Sequence, residues 1–426
     1  MLEAVKVTLD PTPYQQRLMA SHAGAARFTY NSALAHIKNA LDHGEPVEFS
    51  YYGLRKWWNA NKNTLAPWWA ENSKEAYNTG LEALACALSN WAKSRNGKRR
   101  GRPTRFPRFK TRNRAVPRFA YTTGTFGVID GDPRGLRLPR IGRVHCMENV
   151  SRRVGGARVL RMTVSYRQGR WRASVTVERP DTVPSPPAGG SVGVDLGVRT
   201  LATLSDGHTV ENPGAHTKNL ARLRKASKSL SRKKKGSNRY RRARKRLAAI
   251  HARIANVRLD TEHKLTTRLA QTYSEISIED LNVAGMVQNH RLARVVEDAS
   301  FARVRHQLEY KTARTGSQLH VVDRWFPSSK MCSGCGAVKA KLPLSQRTYC
   351  CNVCGLRIDR DVNAAINILV AGSAPETINA RGAGVSRPGM CRATQSAVKR
   401  EPGVGTCRTR PGADLGNEVI QPAALN

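Results

Sequence analysis

Four of the nine cysteines stand as two pairs, Cys332 with Cys335 and Cys351 with Cys354, in a C-x2-C-x15-C-x2-C pattern. Two such pairs can close on one tetrahedral ion with metal–sulfur bonds of about 2.3 Å, which obliges the intervening chain to fold back on itself. Gly336 and Gly355 follow the second cysteine of each pair, where a tight turn can aim backbone N–H groups at the thiolates. The expected ion is Zn²⁺. Four thiolates leave no position for water, so its role would be structural. Cys350 could replace Cys351 as a ligand, though its spacing to Cys354 is less regular. The ordinary alternative is four buried thiols in a reducing cell.

An odd cysteine count with no secretory start argues against a disulfide framework. The opening MLEAVKVTLDPTPYQQ lacks a signal sequence, and no apolar run reaches about 18 residues, so a soluble cytoplasmic protein is expected, with no membrane partner. With 426 residues the chain is long enough for several domains. Its 72 lysines and arginines against 31 acids give a net charge of +41, which points to a polyanionic partner, nucleic acid.

Along the chain, LEAVKVTL reads as an edge strand, and Thr12 with Gln15 has capping-box spacing before Pro13. A helical pattern then runs to about residue 95, with Leu34 and Ile37, and Leu81, Leu84 and Leu88, at helical spacing. Trp57, Trp58, Trp68, Trp69 and Trp91 fall in this region, as core residues or as platforms for unpaired bases. Residues 93–114 carry eleven basic residues and no acid, interleaved with Phe106 and Phe109, and read as a phosphate-gripping loop. Short β-like runs follow from 118 to 180, two of them joined by a Gln-Gly turn, and a Pro/Gly linker at 180–190 marks a domain boundary. No acid occurs from 212 through 259, and fifteen basic residues lie between 218 and 246, predicting a helix pair around Gly236 that faces a polyanion. Its apolar positions are Leu220, Leu223, Leu230, Leu247, Ile250 and Ile254. Beyond 370 the chain lacks periodicity and is expected to be disordered, with Cys391 and Cys407 outside any ligand pattern.

Two apolar runs, Val192 to Val198 and Leu201 to Leu204, read as buried strands joined near Arg199, yet Asp195 stands in the first. A buried carboxylate demands compensation, so a positive group is expected beside it. A second run, Ile276 to Ile278, ends in Glu279 and Asp280. DRDVNAAINIL opens with acids and continues as a helix with Val362, Ala365, Ile366 and Leu369 on one face. An acid within a first strand, one at a later strand end and one opening a helix can converge at one end of a sheet, where mutual repulsion is relieved by divalent cations. Such an arrangement suits two-metal phosphodiester hydrolysis with Mg²⁺ or Mn²⁺. Each acid alone has an ordinary reading: Asp195 capping a turn, Glu279 paired with arginine, Asp361 at a helix N-terminus.

GVDLGVRTLATLSDG, ISIEDLNVAGM, RWFPSSKMCSGCG, YCCNVCG and DRDVNAAINIL, in that order, resemble the TnpB family, transposon-encoded relatives of type V CRISPR effector nucleases. LDPTPYQQRLMASHAGAARFTYNSAL and RFPRFK do so too, and the likeness spans roughly residues 1–370. It implies an α/β multidomain protein: an RNase H-like (RuvC-type) nuclease domain at 186–327 and 356–372, and a four-cysteine zinc ribbon at 328–355 inserted in it. A wedge-like β domain, barrel-like, would comprise 1–11 and 118–185, interrupted by a helical recognition domain at 12–117; 373–426 would be a disordered tail. The metal ligands would be Asp195, Glu279 and Asp361, the last favoured over Asp359 because it stands two before the asparagine. The implied activity is RNA-guided cutting of double-stranded DNA beside a short transposon-associated motif, with a guide RNA (ωRNA or reRNA) as partner. The alternatives are a non-cutting guided binding protein or repressor, and a strand-transferring transposase.

Overall fold

A computed structural model describes residues 1–180, 184–343 and 345–373. They divide near residue 181 into two compact units. In the first, β1 (Leu2–Asp10) precedes helices α1 (Pro13–Asp42), α2 (Tyr51–Leu65) and α3 (Lys74–Arg95). Strands β2 (Arg118–Tyr121), β3 (Gly127–Ile129), β4 (Asp132–Leu138) and β5 (Gly142–Cys146), a short helix α4 (Val150–Val154), and strands β6 (Arg158–Arg167) and β7 (Arg170–Glu178) follow. The capping box is formed: Thr12 Oγ1 accepts from the Gln15 N–H, and the Gln15 side chain accepts from the Thr12 N–H. Leu34, Ile37, Leu81, Leu84 and Leu88 are buried where α1 and α3 meet the core.

The seven strands run β2-β6-β7-β1-β5-β4-β3, so β1 is not the edge strand expected. It pairs with β7 from Leu2 to Thr8 and with β5 at Leu9 and Asp10. Its alternation of buried Val5, Val7 and Leu9 reports one covered face, a property of inner and edge strands alike. The β6–β7 hairpin turns through Gln168 and Gly169, both at positive φ, as a two-residue hairpin of this hand needs. The tryptophans mostly pack: Trp58 is buried against Tyr77, Trp57 stacks on His36, and Trp91 meets Phe106 edge-on. The basic loop is tied down by that Phe106 contact, by Asn31 bonding both backbone groups of Lys110, and by the Lys110 ammonium 3.6 Å from the Tyr30 ring centroid. Burial pushes Lys110 down to about 8. Arg105 and Arg108 remain exposed.

The second unit begins with β8 (Gly189–Asp195), β9 (Thr200–Leu204) and β10 (Thr209–Glu211), then helices α5 (Ala215–Ser231) and α6 (Asn238–Thr272). After β11 (Tyr273–Glu279) come α7 (Val283–Gln288), α8 (Ala293–Ala299), α9 (Phe301–Thr315), β12 (Gln318–Val322), the small strands β13 (Thr348–Cys350) and β14 (Arg357–Asp359), and α10 (Arg360–Ser373). The sheet order is β10-β9-β8-β11-β12, with β11 parallel to both β8 and β12 and the other pairs antiparallel. Helices α5 and α6 form the pair expected around Gly236, joined by an apolar seam of Ala215, Leu223 and Ile254 with Leu247 and Ile250. Buried Asp298 of α8 accepts from the His216 and Thr217 N–H groups that open α5, and pairs with Arg258 of α6 at 2.7 Å. It thereby caps a helix whose own Gly214 offers no side chain. Among the described residues no helix is long and apolar enough to cross a membrane. Residues 374–426, with Cys391, Cys407 and nearly all of the tail expected to be disordered, lie outside the described residues.

Candidate functional site

The cysteine pairs meet as their spacing predicts. The Sγ atoms of Cys332, Cys335, Cys351 and Cys354 all lie within 4.8 Å of one another, the Cys332–Cys354 and Cys335–Cys351 separations both being 3.6 Å. A tetrahedron of sulfurs about 2.3 Å from a central ion has edges of about 3.8 Å, so the cluster fits a metal ion. Gly336 and Gly355 hold φ of +77° and +71°, and the Val353 N–H donates to Cys351 Sγ. Donation from the backbone of Cys354 and Val353 holds the Cys351 thiol below its ordinary value, while the neighbouring sulfurs raise Cys335, as expected of thiols crowded around one point. Cys351, not Cys350, belongs to the cluster; Cys350 is the last residue of β13.

The three acids lie on adjoining elements of the same unit. Asp195 ends β8 and Glu279 ends β11, and the parallel register, Val194 beside Ile278, makes them lateral neighbours. Strand β8 ends at Asp195, earlier than the apolar run to Val198 suggested. Asp361 stands in the first turn of α10, which packs across β8 and β11. Gly193 permits that seat: a Cβ there would stand 2.0 Å from the Ala365 carbonyl oxygen and 2.6 Å from the Leu369 nitrogen.

Asp195 makes no ion pair among the described residues. Burial, then the charges of Glu279 and Asp361, push its carboxyl up to about 7, and the charge of Arg360 pulls the other way. The positive charge expected beside it is present as Arg360, which acts without forming an ion pair. Glu279 is raised too, by burial, and the Ser328 hydroxyl that donates to its Oε1 opposes the rise. The arginines that might have paired with Glu279 go to its neighbour: Arg305 and Arg324 both pair with Asp280, and hold it below the usual carboxylate range. Asp359 is likewise engaged, accepting the N–H groups of Asp361 and Val362 at the start of α10. Asp361 has Arg347 at 3.9 Å. The carboxylates stand more openly than the cysteines, which are the only group among the described residues with three or more ligand atoms all within 4.8 Å.

Two buried asparagines were not foreseen. The expected face of α10 was Val362, Ala365, Ile366 and Leu369; the buried residues are Asn363, Ala364, Ala365, Asn367 and Ile368. Asn363 donates to the Met331 carbonyl and accepts from the Ser333 N–H, while Asn367 donates to the Ser328 and Met331 carbonyls. They bind α10, which carries Asp361, to the segment that carries Ser328 and the first cysteines. Their signal was present in the sequence: two asparagines one turn apart inside an apolar helix, where the residue type is disfavoured unless its amide is used.

Family models match most of the chain: "Helix-turn-helix domain" of the OrfB_IS605 type over residues 1–45, OrfB_IS605, described as "Probable transposase", over 174–290, and "Cas12f1-like, TNB domain" over 301–368. A Mycobacterium tuberculosis protein provisionally named an RNA-guided DNA endonuclease is 38% identical over 417 residues, covering 91% of this chain and 90% of its own. A Streptomyces pristinaespiralis protein of the same provisional name is 37% identical over 407 residues, covering 94% of this chain and 96% of its own. A solved Cas12f1–sgRNA–target DNA complex aligns over 87% of this chain and 99% of that chain at 14% identity, with a TM-score of 0.31. Sequence motifs, family matches and relatives of nearly equal length agree, and this chain belongs to the OrfB_IS605 (TnpB) family.

Proposed function

We propose that the protein is an RNA-guided DNA endonuclease of an insertion-sequence element, hydrolysing phosphodiesters with divalent cations held by Asp195, Glu279 and Asp361, at a target beside a short transposon-associated motif. The observation that carries this reading is the seat of half-buried Asp195 at the end of β8, beside Glu279 at the end of β11 and with Asp361 on the helix packed across both; burial and these two charges raise its carboxyl, and Arg360 only partly offsets them. Hard oxygen ligands at one strand end suit Mg²⁺ or Mn²⁺. Two such ions would supply an activated water and stabilise the leaving oxygen.

The chain's own part is placement. Strands β8 and β11 fix two acids side by side, Ser328 orients Glu279, and the close seat of α10 over Gly193 sets Asp361. Asp280 and Asp359 are occupied by arginines and by a helix start, which favours Glu279 and Asp361 as ligands. The strand order, a three-stranded antiparallel run continued by two parallel strands, supports an RNase H-like (RuvC-type) nuclease domain at 186–327 and 356–372. We assign 328–355 to a zinc ribbon, thiolates being soft ligands that select Zn²⁺ over Mg²⁺. Residues 1–11 with 118–185 and residues 12–117 are then the wedge-like and recognition domains. The names of the relatives and the acid-free basic stretches support guide RNA and DNA as partners.

The test is to purify the protein from cells carrying its locus, sequence the co-purifying RNA, and offer DNA matching its guide segment. Guide-dependent linear cutting in Mg²⁺ is expected, lost in Asp195→Ala while RNA and DNA binding persist. Binding without cutting by the wild-type protein would favour the repressor reading, and strand-joined products the transposase.

A further inference from the structure

Trp325 is 85% exposed, the most exposed large apolar side chain among the described residues. A lone exposed apolar side chain needs no explanation by itself. This one is held firmly beside the carboxylate site. It lies three residues beyond Val322, the β12 residue in register with Glu279, and three residues before Ser328, whose hydroxyl touches Glu279. Its own N–H donates to Asp323 Oδ1 at 2.8 Å, the Phe326 N–H to the Asp323 carbonyl, and the Ser328 N–H to the Phe326 carbonyl. Arg324, immediately before it, is fixed on Asp280 at 2.5 Å. The backbone on both sides of the indole is thus tied down while the ring itself faces solvent.

We propose that Trp325 is a stacking platform for an unpaired base of the DNA strand being cut, positioning that strand over Asp195, Glu279 and Asp361. The inference rests on the nuclease reading above. An indole offers a flat π-face to any base, so it grips a single strand without selecting sequence. That property suits a site whose sequence choice is made elsewhere by base pairing. The occupant is single-stranded nucleic acid rather than a protein because the chain carries +41 and the adjoining acids are arranged to meet phosphodiesters through cations. Trp325 forms no bond with the reacting atoms; its role is positional.

The full-length protein with its co-purifying RNA is irradiated with single-stranded DNA containing 5-iodouracil, which joins to aromatic side chains stacked on it, and the digested peptides are sequenced by mass spectrometry. Cleavage after Arg324 and Lys330 isolates the peptide WFPSSK, so the attachment is read directly and needs no cutting activity. The expected result is a cross-link on Trp325, lost in Trp325→Ala and kept on the ring in Trp325→Phe. In guided cleavage, Trp325→Ala should slow single-turnover cutting or raise the DNA concentration needed by roughly 5- to 150-fold, the range one base–aromatic stack spans, with Trp325→Phe recovering most of it and RNA binding unchanged. A substrate with an abasic site at the cross-linked nucleotide should remove the difference between wild type and Trp325→Ala. Absence of WFPSSK among the cross-linked peptides, or wild-type cutting by Trp325→Ala, overturns the inference and leaves the nuclease reading intact. A Trp325 cross-link in a protein that never cuts overturns the nuclease reading and with it the role in positioning a strand for cutting, leaving only a single-strand stacking site.

Discussion

Gly193→Ala isolates the contact that brings the third acid to the other two. The added methyl would sit 2.0 Å from the Ala365 carbonyl oxygen, 2.6 Å from the Leu369 nitrogen and 2.8 Å from the Leu369 Cβ. Two of these are backbone atoms of a packed helix and cannot rotate away. Relieving the first contact to a tolerable 3.0 Å requires α10 to lift from β8 by about 1 Å. Overpacking of this kind costs about 1–3 kcal/mol, and each kcal/mol lowers the melting temperature of a unit this size by about 2–4 °C, so a fall of roughly 2–12 °C is expected. Lifting α10 also withdraws Asp361 from Asp195 and strains the Asn363 and Asn367 bonds to the cysteine segment. A displacement near 1 Å in a catalytic constellation can cost on the order of 100-fold in rate. Gly190→Ala is the control on the same strand, since a Cβ there meets nothing within 4 Å and should change stability by no more than about 0.5 kcal/mol. Scanning calorimetry and guided cleavage below the melting temperature read the two effects separately. A Gly193→Ala protein that melts and cuts like wild type would refute both the seat of α10 and its part in assembling the acids.

Metal analysis of purified variants should find the cysteine-bound ion lost or weakened in Cys351→Ser, with a lower melting temperature, and retained in Cys350→Ser, because only Cys351 lies in the four-sulfur cluster. Asp195 binds its proton more tightly in the folded chain than in the unfolded one, its folded value being about 7, and Glu279 shifts the same way. Stability of protein free of Mg²⁺ should therefore fall as pH rises from about 4 to about 7, because the folded state holds protons that the unfolded state releases. Melting temperatures between pH 5.5 and 8 check this: Asp195→Asn should flatten the slope, and added Mg²⁺ should restore stability at pH 8. A slope unchanged in Asp195→Asn would mean that the carboxylate is not desolvated as described.

Local signals were fully readable in the chain. The spacing of Cys332, Cys335, Cys351 and Cys354 dictated one cluster, because a tetrahedral ion tolerates few other arrangements. Thr12 and Gln15 marked the start of α1, and the Gln-Gly dipeptide marked the β6–β7 turn, since each is a bond or torsion settled within a few residues. The apolar pattern placed Asp195 on a strand and Asp361 at a helix start, and the sum of charges pointed to nucleic acid.

What depended on tertiary structure was partnership between distant segments. Alternation in LEAVKVTL revealed a covered face but not how many neighbours the strand has, because hydrogen-bond partners across a sheet leave no mark on a strand's own sequence. Whether Glu279 or Asp280 meets the arginines turned on which face of β11 looks towards α9 and the segment after β12. The same holds for Asn363 and Asn367, whose amides are buried only because α10 lies against the loop after β12. Sequence fixes torsions, periodicity and short-range chelation, which are local energies. Only the packed fold brings together groups dozens of residues apart, and decides which half-buried carboxylate is left without an ion pair.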